Sequence, residues 1–493
     1  MAYALRLTGL RTRRLVRPAL AAVAAMLVSG CLSFDPHYTR PASPVPAELP
    51  QGGAYPPAGP DAAAAADLPW RAFFTDAKLQ GVVAEALADN RDLRVAVLNV
   101  AEARAQRDIQ RAALFPHLNA EGQGTYESEP AALLGATSGA GAAAARDKGS
   151  ITFRYFTAGL AAPNYELDLW GRVRSLSRAA LEQYLASDSA RRAAQISLIA
   201  EVADQYVAYA ADLARLDAAR QTAASDGKIL DLTRARFQAG VASELDVRQA
   251  ETALDQARAD VATYTTILAQ DLNALTLLVG GPVAADALPG PLGDGVFTLA
   301  DLPVGVSSAV LLNRPDVEEA EHQLKAYNAD VGAARAAFFP QITLTGQDGA
   351  ASLSLGRLFT PGSGAWSFSP TITLPIFAGG ANAANLHHAD AERQAAVAQY
   401  EKAVQSAFRD VADALAQRGQ VGELLDAQQA LVQAADRSLV LSRARYERGS
   451  DTYLNTLTAE VSLYSAREAL IAARQTRQTN LVALYSALGG GVK

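Results

Sequence analysis

The sequence predicts a mainly α-helical chain that also carries four membrane-length β-strands, too few to close a barrel alone. Three observations predict this. Residues 164–281 and 376–493 contain no proline, and a helix interior loses about 3 kcal/mol for each proline it accepts. Stretches outside these blocks alternate apolar and polar residues with a period of two, the pattern of a half-buried strand. The chain also opens on a basic segment followed by a short apolar run, which reads as an export address.

Taken in order, Arg6, Arg11, Arg13, Arg14 and Arg17 precede an apolar run from Ala19 to Val28. About ten apolar residues are too few to span a bilayer as a helix, so residues 1–30 are expected to be a signal peptide. Leu27-Val28-Ser29-Gly30-Cys31 resembles a bacterial lipobox, and Cys31 is the only cysteine in the chain. Lipidation is expected there; the alternative is a buried free thiol. Leu32, where inner-membrane retention calls for Asp, implies sorting to the outer membrane. Ten of the 22 prolines fall before residue 70, so residues 31–70 read as an extended linker behind the anchor.

Within the proline-free blocks, Ile199, Val202, Tyr206, Tyr209, Leu213 and Leu216 recur at spacings of three and four, as do Leu254, Ala257, Val261, Tyr264 and Leu268. These are coiled-coil seams. The blocks break at Gln238–Ser243 and at Glu447–Asp451, predicting helices from about Arg172 to Gln238 and from about Ala381 to Arg448. Each would be about 100 Å long. The chain is also duplicated. Arg111-Ala-Ala-Leu-Phe-Pro116 echoes Arg335-Ala-Ala-Phe-Phe-Pro340, and Arg234-Ala-Arg-Phe-Gln-Ala-Gly240 echoes Arg443-Ala-Arg-Tyr-Glu-Arg-Gly449.

The strand candidates follow the two Phe-Pro pairs. Alternation runs through Leu118–Glu127, Ile342–Gln347 and, most clearly, Trp366–Ile376; Ile151–Leu169 alternates less regularly around Pro163. Soluble hairpins covered by helices would show the same pattern. Strands of bilayer-crossing length behind an export signal favour a membrane wall. Four strands cannot close a barrel, and open sheet edges cannot face lipid, so several chains must pool them.

Composition excludes much else. Hydrophobic residues make up 50% of the chain, and the net charge of −7 leaves no basic field for nucleic acid. Removing residues 1–30 takes away five arginines, which lowers the charge to about −12. No phosphate-binding loop, nucleophile elbow or metalloprotease motif is present, so no catalytic residue, cofactor or metal is expected. His387 and His388 are adjacent, project apart on a helix and make a poor chelate.

Leu312-Asn-Arg-Pro-Asp-Val-Glu-Glu-Ala-Glu-His-Gln-Leu324, Phe339-Pro340-Gln-Ile, Leu374-Pro375-Ile-Phe-Ala-Gly-Gly380 and Leu484-Tyr-Ser-Ala-Leu-Gly-Gly-Gly491 together resemble the TolC-like outer-membrane efflux proteins, in particular the lipidated branch serving resistance-nodulation-division pumps. The resemblance implies a homotrimer whose twelve-stranded barrel continues into an α-helical tunnel. It implies a periplasmic adaptor (a membrane fusion protein) and an inner-membrane pump as partners, alongside outer-membrane lipid. The domains expected are two efflux repeats, 71–281 and 316–493, joined by an equatorial connector, 282–315. The implied activity is passive export of small toxic molecules, opened when the adaptor docks. A type I protein-secretion channel and a poreless lipid-anchored spacer are the alternatives.

Residue by residue, the resemblance places adaptor-docking tips at Gly240, Val241, Ala242, Gly449 and Ser450. It places periplasmic gate residues at Asp451, Asp246 and Tyr446, the tyrosine tying helices together. Asp451 also suits a plain helix-capping role. Relatives that carry carboxylates at the positions of Asn455 and Thr458, or a basic residue at 451, have a different ionic latch. Arg314 and Asp316 read as structural, capping the helix that follows.

Overall fold

A computed structural model describes residues 33–56, 68–130, 150–299 and 307–490. Cys31, the export segment and most of the first strand-connecting loop lie outside the described residues. The helices are α1 (Trp70–Phe73), α2 (Ala77–Asp89), α3 (Arg91–Ala112), α4 (Arg172–Gln238), α5 (Glu244–Val279), α6 (Pro315–Ala336), α7 (Ala381–Glu447) and α8 (Tyr453–Ala487). The strands are β1 (Asn119–Pro130), β2 (Ser150–Glu166), β3 (Gln341–Ser352) and β4 (Gly364–Thr373). The chain divides into two compact units, one of Met1–Thr39, Ala103–Tyr184 and Gln323–Ala396, the other of Arg40–Glu102, Leu185–His322 and Val397–Lys493.

In the first unit the four strands form one antiparallel sheet in the order β1-β2-β3-β4. The β2–β3 ladder therefore joins the two repeats, and β1 and β4 are its edges. Pro163 explains the weak alternation in β2: the register shifts between Ala162 and Tyr165, and Asn164 takes a φ of 52°. A proline donates no ladder bond and belongs at such a bulge. The sheet's base is tied to α4 by Arg172, which pairs with Glu166, and by the Trp170 indole, which donates to the Pro340 carbonyl at 2.8 Å. The described part of the N-terminal segment here is extended and pinned. Phe34 stacks on Phe339 with ring centroids 4.5 Å apart, Asp35 pairs with Arg178 at 2.6 Å, and Asn328 donates to the Pro36 carbonyl at 2.7 Å.

The second unit is helical. α4 and α7 each run 67 residues, and the seam residues Ile199, Val202, Tyr206 and Leu216 are buried. Phe73 and Phe74 lock onto α8, where the Phe73 and Tyr485 rings stack at 4.0 Å and the Tyr485 hydroxyl donates to the Leu68 carbonyl at 2.5 Å. The extended segment is strapped on in this unit too. Ser308 donates to the Pro46 carbonyl at 2.7 Å, and Arg40 pairs with Glu321 at 2.6 Å.

Arg314 donates to Asp316, to Asp410 and to the carbonyl of Ala487, which closes the C-terminal end of α8. Its role is structural. Arg314→Ala is expected to cost about 2–3 kcal/mol, because charge-assisted bonds are lost and a helix-end carbonyl is orphaned. A lowered thermal midpoint in detergent, without loss of conductance in the folded fraction, is the check.

Candidate functional site

The sheet sorts its two faces through β1, β3 and β4, while β2 departs, with Arg154 on the apolar side and Phe153 and Tyr155 on the polar one. Cross-strand partners share a face, so the registers Ala120↔Leu160, Gly124↔Phe156, Gly346↔Phe368, Asp348↔Trp366 and Ile342↔Ile372 collect one predominantly apolar surface. The opposite face collects Asn119, Glu121, Gln123 and Thr125 with Gln341, Thr343, Thr345, Ser367, Ser369 and Thr371. No helix among the described residues covers the apolar face at β4, where Trp366 is 78% exposed and Ile372 68%. β1 and β4 each pair on one side only among the described residues, leaving two rows of backbone donors and acceptors open. Among the described residues no helix is long and apolar enough to cross a membrane. The regular strand β4 ends at Thr373, short of the Ile376 expected from alternation. Pro375 intervenes, and Ile376 and Phe377 lie beyond it with their side chains exposed.

The hairpin ends lie in the helical unit. α4 stops because Gly240 has a φ of +72°, a left-handed conformation that only glycine adopts without strain; Gly449 ends α7 with the same value. Both turns use one hydrogen-bond scheme. Gly240 donates to Phe237 and Val241 to Arg236; Gly449 donates to Tyr446 and Ser450 to Arg445, all between 2.9 and 3.0 Å. Gly240, Val241, Gly449 and Ser450 are exposed, and Ala242 is half-buried.

The three residues assigned to the gate have different surroundings. Asp246 is the third residue of α5 and makes a capping box with Ser243: its carboxylate accepts from the Ser243 N–H at 2.9 Å, and its own N–H donates to Ser243 Oγ at 3.2 Å. The other hairpin carries Thr452 and Asn455 at the matching positions. Thr452 makes no side-chain cap. Asp451 takes over, accepting from the Thr452 N–H at 2.9 Å and from Asn455 Nδ2 at 2.6 Å, and pairing with Arg445 at 3.2 Å. Its side chain is 13% exposed. The Asn455 bond, then that from Thr452, holds its carboxyl below the usual carboxylate range, so Asp451 stays charged until the medium is strongly acidic.

Tyr446 sits inside. It belongs to a core of Ile229 and Leu230 from α4, Val247, Ala250 and Leu254 from α5, and Tyr453 from α8. Its hydroxyl meets Thr233 Oγ1 at 3.0 Å, and the Arg236 guanidinium lies 4.6 Å above its ring and bonds its carbonyl at 2.9 Å. One tyrosine thus joins the two hairpins. Sequence reasoning missed Thr233, Arg236 and the polar cluster of Asp226, Arg443 and Glu460. Of the gate residues, Asp451 alone was read from the sequence as a helix cap; the Ser243–Asp246 capping box emerged only from the structure.

With a sheet built to meet lipid on one side and long helical hairpins in the second unit, the chain has the parts of an outer-membrane conduit. Residues 82–281 and 306–490 match the model of the outer membrane efflux protein family, and the chain belongs to that family. It is an outer-membrane efflux channel and not an enzyme. Over 470 residues it is 45% identical to the "probable efflux pump outer membrane protein TtgC" of Pseudomonas putida, covering 95% of this chain and 94% of that one. It is 44% identical over 472 residues to outer membrane protein OprJ of Pseudomonas aeruginosa, covering 95% of each. The open-state crystal structure of the Neisseria gonorrhoeae MtrE outer membrane channel superposes with a TM-score of 0.81 at 40% identity, over 94% of this chain and 99% of that one.

Proposed function

We propose that three copies pool their sheets into a twelve-stranded barrel anchored through lipidated Cys31. The barrel passes small toxic molecules outward from an inner-membrane resistance-nodulation-division pump. The observation that carries this reading is the sheet: one apolar face, one polar face, and two unpaired edges that lipid cannot solvate. Gly240, Val241, Ala242, Gly449 and Ser450 are the surface on which a periplasmic adaptor docks, since small residues at the turns admit close approach. Asp451 and Asp246 line the closing end, and Tyr446 holds it from within.

Three copies of an ionised Asp451 around one axis repel one another and favour cations. Arg445 offsets each charge, which leaves a weak closure. Asp451→Ala leaves three unopposed Arg445 cations in place of offset pairs and removes the bonds to Asn455 and Thr452, so the net effect favours opening. In planar-bilayer recordings of the purified protein it is expected to lower cation preference and lengthen open times several-fold. Absence of conductance in both wild type and Asp451→Ala would defeat the conduit reading, and a monomer after gentle extraction would count equally against it.

A further inference from the structure

Two acids in the helical unit have no role in the closing end as described so far. Asp226 on α4 is 4% exposed and Glu460 on α8 is 7% exposed. Both line the same two grooves, and each carboxyl acts on the other's proton affinity. Ionised carboxylates only accept, so the two can bond to each other only with a proton on one of them. Arg443 on α7 is the cation at this site, donating to Glu460 Oε1 at 2.8 Å and to Ser225 Oγ at 2.6 Å. Asp226 Oδ1 and Glu460 Oε2 have no donor among the described residues. Two carboxylates against one guanidinium leave one buried negative charge, which one proton removes.

Both acids line two grooves of this chain, of about 470 and 560 Å³, which give the proton a route to water. Tyr464 on α8 and Asp260 on α5 line the larger groove with the pair, and Tyr453 on α8, on which both acids act, is acted on as well by Tyr446 from α7 and Asp246 from α5. Arg248 on α5 lines the larger groove, while Glu447 and the Arg467–Asp436 pair, 3.9 Å apart, line the smaller.

We propose that Asp226 and Glu460 are a proton-operated clasp between the two helical hairpins: a shared proton holds α4 to α8, and its release to groove water leaves like charges that part them and favour opening. Burial first, then Glu460, pushes Asp226 up to about 7, and burial raises Glu460 against the opposing pull of Arg443. An acid raised above its unfolded value binds its proton more tightly when folded. The clasped arrangement is therefore most stable below about pH 4 and loses stability as pH rises toward 7. The consequence for opening rests on the conduit reading; the clasp itself does not.

Spin labels at Lys228→Cys on α4 and Val461→Cys on α8, both exposed positions, measure the separation in the full-length assembled protein. Between about pH 5.5 and about pH 8.5 the distance should lengthen by a few ångströms with a midpoint near 7, alongside loss of a protonated-carboxyl infrared band. Asp226→Asn keeps a neutral donor to Glu460 and should hold the short distance throughout. Glu460→Gln is the second variant should the first fail to assemble. Asp271 on α5 is raised to about 6 by burial and Asp212, so Asp271→Asn is the control and should leave the change in place. An unchanged distance in wild type, or the same lengthening in Asp226→Asn, overturns the clasp. Lengthening with no conductance at any pH supports the clasp and counts against the conduit reading alone.

Discussion

Replacing Gly159 with valine should abolish the detergent-resistant trimer proposed above. Gly159 on β2 faces Gly349 on β3, and a Cβ built at 159 lies 2.4 Å from the Asp348 carbonyl oxygen and 2.7 Å from the Gly349 Cα. The obstacle is backbone, which cannot rotate away as a side chain can. Valine must therefore spread the β2–β3 ladder, the one ladder that joins the two repeats. Overpacking commonly costs about 1–3 kcal/mol; displacing a strand inside a shared wall also costs ladder bonds that lipid cannot replace. Gly159→Ala should weaken assembly less. Gly122→Val is the internal control, because nothing lies within 4 Å of a Cβ there. Gel mobility without boiling, compared across the three variants, is the measurement. A stable Gly159→Val oligomer would show that the strands do not approach as closely as the register requires.

Tyr446→Ala should loosen the hairpin ends and lower thermal stability by about 3–5 kcal/mol, as expected for removing a large ring from a packed core. It removes a side chain packed among four helices and orphans Thr233, which is itself fully buried. Arg236 loses the ring beneath it as well. Tyr446→Phe separates the contributions: the packing remains, the Thr233 bond goes, and the cost should fall to about 1–2 kcal/mol. In bilayer recordings the alanine variant should open far more often than wild type, and the phenylalanine variant slightly more often. Equal opening in all three would confine Tyr446 to stability.

Much of the fold was legible because its signals are local. The bounds of α4 and α7 follow from where proline is absent and where glycine permits reversal, and the Gly240 and Gly449 turns have the backbone that their residue type implies. Strand positions followed from alternation, with errors at the bulge beside Pro163, at the end of β4 before Pro375, and in β3, which runs on to Ser352 past the alternation that ends at Gln347. The site was only partly legible. Asp451 and Asp246 were singled out through resemblance, and their hydrogen-bond partners came only from the structure and differ. Asp246 closes a capping box with Ser243, whereas Asp451 reaches over to Asn455 because Thr452 leaves the cap unfilled.

Sequence by itself determined the periods, the breaks and the duplication, since these depend on residues a few positions apart. Tertiary structure alone decided which distant groups meet: Gly159 with Gly349, Tyr446 with Thr233, and Asp226 with Glu460 beside Arg443. These pairs are separated by many turns of helix or by a whole repeat. Burial turns such neighbours into hydrogen-bonded or mutually repelling groups by removing the water that would otherwise keep them independent.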